Sequence, residues 1–212
     1  MSVTFLLTIF SIIVGFIIGI SLSLGRVYGN KIISIICIGY IEIFRGTPLL
    51  VQLFIIYFGL PAVGIALSPL HSALLGLSLN SGAYQAEYLR GSIQAIPSGQ
   101  MSAARTLGMT KMQSIKNVIL PQSLRISIPA WSNELIYLFK YTSIVSIIQV
   151  SELTKEGELI ASRNFRYIEI FLIIALIYLI FTFIITEIID RVTKKMSIPG
   201  IGLQIKTRPK LS

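Results

Sequence analysis

Apolar positions along the chain gather into blocks long enough to cross a membrane, with short polar interruptions between them. From Val3 to Leu24 there are 22 residues without a charge, and about 20 helical residues cross a hydrocarbon core of about 30 Å. This block is the first predicted span. Within it Ser11, Gly15, Gly19 and Ser23 recur every fourth residue, a ridge of small side chains along which another helix backbone can approach closely. No basic segment precedes the block and no A-x-A site follows it, so a cleaved leader is not expected.

The second block, Ile32 to Leu60, would be about 43 Å long as one helix at 1.5 Å per residue, more than a bilayer needs. Gly46-Thr47-Pro48 is the predicted break, because proline removes a backbone donor and bends the chain. Glu42 and Arg45 lie just before it, at a spacing that lets them pair on one helical face. A third span is expected from about Ser72 to Tyr84 and on towards Leu89, interrupted by Asn80, Ser81 and Gln85. A fourth runs from Ile126 to Val150, and a fifth, Ile168 to Ile189, contains 17 uncharged residues from Ile170 to Thr186. The predicted fold is an all-α integral membrane protein, one domain over residues 1–212 with about five transmembrane helices.

Composition agrees with that pattern, since 54% of the residues are apolar and only 13% charged, against roughly 25% charged in soluble domains. One cysteine, Cys37, excludes an intrachain disulfide framework, and with a single histidine, His71, it cannot build a usual zinc site. The net charge of +9 would suit nucleic acid, but the basic stretches lack interleaved aromatics on which bases could stack. In a membrane protein basic residues first report topology. Five spans with the C-terminus inside put Arg26, Lys31, Arg90, Arg105, Lys111, Lys116, Arg125, Arg191, Lys194, Lys195, Lys206, Arg208 and Lys210 in the cytoplasm, thirteen of the 18 basic residues. The N-terminus is therefore expected outside, with Arg45 and Lys140 at membrane depth.

The connection between the third and fourth spans is too patterned to be coil. Met101, Ala104 and Leu107 repeat along one helical side, and Gly108 can end that helix in the left-handed conformation. Thr110 to Gln113 reads as a capping box that starts a second helix, carrying Met112, Ile115 and Ile119 before Pro121 stops it. Such an element either lies in the headgroup layer or docks on a protein. Its small residues Ser102, Ala103 and Ala104 suit a protein groove better than lipid.

Ser102-Ala103-Ala104, Gly108 and Val118-Ile119-Leu120-Pro121 together resemble the "EAA" loop of permease subunits of ABC importers, with Ser102 where that family usually has Glu. Phe44-Arg45-Gly46-Thr47-Pro48, Tyr57-Phe58-Gly59-Leu60-Pro61, Asn80-Ser81-Gly82-Ala83-Tyr84, Asn133-Glu134 and Lys140-Tyr141-Thr142-Ser143 resemble its polar-amino-acid branch, which contains the histidine, glutamine and arginine permeases. The likeness implies a type I importer fold and residues 97–120 as a cytoplasmic coupling loop, with Ser102, Ala103, Ala104, Arg105, Leu107 and Gly108 facing an ATPase groove. It also implies two ABC ATPase subunits carrying ATP and magnesium, a second permease subunit, identical or related, and an extracytoplasmic amino-acid-binding protein. The expected location is the cell membrane, and no cofactor is expected on this chain.

No G-x-x-x-x-G-K-[ST] phosphate loop is present, so the chain is not expected to hydrolyse ATP. An intramembrane protease would need a nucleophile beside a base; Ser143 and Lys140 are the conceivable pair. A structural or regulatory subunit is the third reading. Polar residues at membrane depth usually face a bundle interior or a pathway. On that ground Thr47, Gln52, Asn133, Glu134, Lys140, Gln149 and Glu152 are the candidate pathway residues, with Glu152 expected to accept a substrate ammonium. Asn133, Glu134 and Lys140 fit interhelical hydrogen bonding equally well. Glu42, Arg45, Pro48 and Pro121 are read as structural.

Overall fold

The computed structural model describes residues 1–196, with side chains described through residue 193. Lys206, Arg208 and Lys210 of the topology argument lie outside the described residues, as do the side chains of Lys194 and Lys195. Among the described residues the fold is all-α. Helix α1 (Ser2–Tyr28) turns at Gly29-Asn30 into α2 (Lys31–Gly46), whose first turn is capped by the Asn30 side chain. The chain then breaks at Thr47-Pro48 and resumes as α3 (Leu49–Phe54), which continues through a π turn and a 3₁₀ turn to Val63. The two arms meet at 105°, as the Gly-Thr-Pro sequence predicts.

Helix α4 (Pro69–Gln94) is 26 residues long and is the most enclosed element. Ser68 caps its start, its hydroxyl also 2.7 Å from Nδ1 of His71, so the histidine belongs to a helix end. Two short helices follow, α5 (Ser98–Thr106) and α6 (Lys111–Ser114). A π turn over Ile115–Ile119 joins α6 to α7 (Leu120–Tyr141) without a stop. The expectation that Pro121 ends a helix is corrected: it sits in the first turn of α7, where the missing N–H costs little and the wide π turn makes room for its ring. A 3₁₀ segment, Thr142–Ile148, leads to α8 (Leu153–Asn164) and then to α9 (Tyr167–Met196). The mixed charges of α8 conceal its helicity from a hydropathy reading.

α1 and α9 are each long and apolar enough to span a bilayer, and the bent α2–α3 pair qualifies only when taken together. α4 and α7 are excluded by composition, not length. α4 buries Ser72, Ser78, Asn80, Ser81, Gln85 and Ser92 because it stands at the centre, packed on α1, α2 and α7. The ridge on α1 is what admits it. A Cβ on Gly15 would lie 2.8 Å from Gln85 Nε2, and one on Gly19 would lie 3.0 Å from the Ala86 backbone nitrogen. Only hydrogen fits at these crossings, so the small residues are packing, as the spacing implies.

Candidate functional site

The break after α2 is held by amide side chains. Gln52 Nε2 donates to the carbonyls of Phe44 and Thr47 and to Thr47 Oγ1 at 2.8, 3.0 and 2.9 Å. Its Oε1 accepts from Asn80 Nδ2 at 3.0 Å, and Asn80 also donates to Phe44 O at 3.2 Å. Proline and the bend leave carbonyls without helical partners, and these amides satisfy them. Gln52 is therefore buried in the joint, which corrects its expected place on a pathway, while Thr47 is exposed and its hydroxyl donates to Ile43 O.

Glu42 and Arg45 do not pair. Arg45 Nη1 instead lies 3.5 Å from Glu87 Oε2 on α4, its guanidinium 5.3 Å from the Tyr84 ring centre, and Glu42 is exposed. The long arginine arm reaches a carboxylate already ringed by Arg26 and Arg90, because the convergence of α1, α2 and α4 brings Glu87 within its range. No sequence spacing signals this cluster, because its members come from three helices.

On α7 the polar face divides. Glu134 turns inward, 6% exposed, and accepts from Ser81 Oγ at 2.8 Å and Tyr88 Oη at 3.2 Å. Asn133, Tyr137, Lys140 and Tyr141 turn outward. Lys140 Nζ rests 4.8 Å from the Tyr137 ring centre, and Tyr137 stacks on Tyr141. This is a wet-capable stripe on an otherwise apolar exterior. Gln149 is exposed too and adopts a left-handed backbone, φ 66°, at the end of the 3₁₀ segment.

Glu152 is corrected most sharply. It is 0% exposed and caps α8, accepting from the Lys155 backbone N–H at 2.9 Å and from Tyr178 Oη at 2.9 Å. Both oxygens are occupied and none of its surface is exposed, whereas a substrate ammonium was expected there.

The segment between α4 and α7 forms a rigid turn. Gly108 has φ 84°, Gly108 N–H bonds Arg105 O, and Met109 N–H bonds Ala104 O, the paired bonds of a left-handed helix stop. Thr110 and Gln113 exchange the two bonds of a capping box. Ala104 is corrected to the inner side at 5% exposed, held there with Ile115 and Ile119, whereas Leu107 is 82% exposed and does not continue the apolar stripe. Ser102, Ala103, Arg105 and Gly108 share the outer surface with Leu107, and Met112, 70% exposed, joins them. Met112 shares its helix with the buried Ile115 and Ile119, and no local signal reveals that two apolar tips flank the turn. Lys111 Nζ donates to Tyr28 O at 3.1 Å, tying the turn to the end of α1.

No nucleophile faces a base at Ser143, whose hydroxyl donates to Lys140 O at 2.8 Å while the lysine amine lies on Tyr137. Among the described residues no group of His, Cys, Asp and Glu side chains could hold a metal ion. The described residues thus form a helical membrane component with a bent helix pair, an outward polar stripe and a stiff exposed turn. Residues 5–198 match the family described as the binding-protein-dependent transport system inner membrane component, and the chain belongs to that family. It is 37% identical over 186 residues to the glutamine transport system permease protein GlnP of Escherichia coli, covering 87% of this chain and 85% of that one. The L-cystine transport system permease protein TcyB of Bacillus subtilis is 42% identical over 181 residues, covering 85% and 77%. The nopaline transport system permease protein NocM of Agrobacterium fabrum is 36% identical over 196 residues, covering 88% and 81%. A solved amino acid ABC transporter with histidines superposes with a TM-score of 0.84 at 38% identity, covering 91% of this chain and 90% of the other. The protein is thus a multi-pass permease component of the cell membrane and not an enzyme.

Proposed function

We propose that this chain is the permease subunit of an ATP-driven importer of polar or charged L-amino acids, oriented N-out and C-in with five spans. The relatives named for glutamine, cystine and nopaline transport support the substrate class. In this reading two ABC ATPases hold ATP and magnesium. A second permease subunit completes the pathway, and an extracytoplasmic binding protein delivers the amino acid.

The observation that carries the mechanism is the stiff turn at Gly108 with Leu107 and Met112 projecting from it. ATP on another subunit can shift this bundle only through contacts that differ between two states. The turn, with Ser102, Ala103 and Arg105 beside it, is that contact. Lys111 on Tyr28 and the buried Ile115 and Ile119 pass its motion to α1, α4 and α7. The substrate's route follows Asn133, Tyr137, Lys140 and Gln149, with Thr47 at the break and Glu134 as the buried carboxylate behind the stripe.

Leu107→Arg is the test, because Leu107 touches nothing that holds the fold. Thermal unfolding should stay unchanged while co-purification of the ATPase and ATP-dependent amino-acid uptake into vesicles both fall at least roughly tenfold, the loss of one buried apolar anchor. Full uptake in that variant overturns the docking assignment.

A further inference from the structure

We propose that the contact between the turn at Gly108 and the ATPase is electrostatically one-sided: this chain brings only cations, Arg105, Lys111, Lys116 and Arg125, and the groove that receives them is lined with carboxylates. The inference rests on the docking role given to the turn above and adds the chemistry of the partner. From Tyr88 to Asn133 the sequence holds five basic residues and no Asp or Glu. Arg105, Lys111, Lys116 and Arg125 are all exposed, while Arg90 is bound to Glu87.

Nothing within the chain neutralises these four. Among the described residues none has a carboxylate within 4.0 Å. Arg105 and Lys111 donate to the carbonyls of Met109 and Tyr28, which fixes their place without cancelling their charge. Glu87 is committed to Arg26 and Arg90, and Glu187 to Arg191. The positive-inside rule accounts for basic residues on this side, but carboxylates weigh little in that rule, so it does not demand a stretch without them. Complementarity with an acidic groove does, because a carboxylate here would face another on the partner. Ser102, exposed on the same surface, stands where the EAA-type resemblance would place a Glu.

An anionic bilayer surface would also attract these cations, but the turn is not built to lie on one. α5 directs its apolar residues inward: Ala104 is 5% exposed, and Met101 packs on the cluster that holds Ile119. Ser98, Ser102, Ala103 and Thr106 are left outside, with no apolar stripe to enter a headgroup layer. What projects is two separate tips, Leu107 and Met112, with Arg105 two residues before the first and Lys116 one turn after the second. Apolar tips flanked by charge match an interface with buried anchors and a polar rim.

The test measures the affinity of this importer's ATPase subunit, purified separately, for the full-length chain in phosphatidylcholine nanodiscs, where no anionic headgroup contributes. Lys116→Glu should weaken binding about fivefold, whereas Lys116→Arg should leave it unchanged. Ser102→Glu should weaken it about threefold, the opposite of the gain that a basic groove would give. That variant decides the matter if Lys116→Glu does not fold. Raising salt from about 0.05 M to about 0.5 M should weaken the wild type more than Lys116→Glu. Leu107→Gln, which removes an apolar tip without altering charge, separates this inference from the docking role. Binding lost in Leu107→Gln but kept in Lys116→Glu overturns the acidic groove alone, and so does tighter binding of Ser102→Glu. Binding unaffected in every variant overturns the docking role as well, and returns these cations to the bilayer surface.

Discussion

Helices α4 and α9 are both long, yet they solve opposite problems. α9 is strongly apolar and only 6% of its apolar window is buried within the chain. α4 carries buried serines, Asn80 and Gln85, and is surrounded on three sides. Hydropathy therefore finds the helix that faces outward and passes over the one that organises the bundle. In a membrane, packing is not driven by hiding oil from water, so the central helix is chosen for small side chains and hydrogen bonds. Ser81 and Gln85 show this: one donates to Glu134, the other to the Ile12 carbonyl.

The comparison is broken most forcefully at the α1–α4 crossing. Gly19→Leu should destabilise the chain by about 3 kcal/mol, because the new side chain meets backbone and cannot be accommodated by a rotamer change. Leu172→Ala on α9, 65% exposed, should shift stability by no more than about 0.5 kcal/mol. Thermal unfolding of both in the same detergent gives the contrast, and similar losses would dissolve it. Gln52→Ala should come next, at about 2 kcal/mol, since the carbonyls of Phe44 and Thr47 and the Asn80 amide lose a buried partner. Its loss should loosen the bend, which distance measurements between spin labels on α2 and α3 would register as a broadened distribution.

Much of the architecture is legible without coordinates. The Gly-Thr-Pro break, the small-residue ridge, the left-handed stop at Gly108 and the Thr110 capping box are all properties of residues within one or two turns of each other. Site assignments fared differently. Gln52 and Glu152, read as pathway groups because polar residues at depth deserve a reason, prove to have structural ones: a carbonyl-rich bend and an uncapped helix. The sequence pattern could not distinguish these reasons from a substrate, since both demand the same chemistry of the side chain.

Local backbone chemistry and the family likeness thus follow from the chain alone, including where it turns, where it stops and what kind of assembly it joins. Partner choice among long side chains does not. Arg45 has Glu42 three residues away and Glu87 on another helix, and it goes to Glu87 because α1, α2 and α4 converge there. Likewise α7 presents Lys140 and hides Glu134 only because α4 occupies one of its sides. Helical spacing defines which residues share a face, and only the packing of helices decides what that face meets.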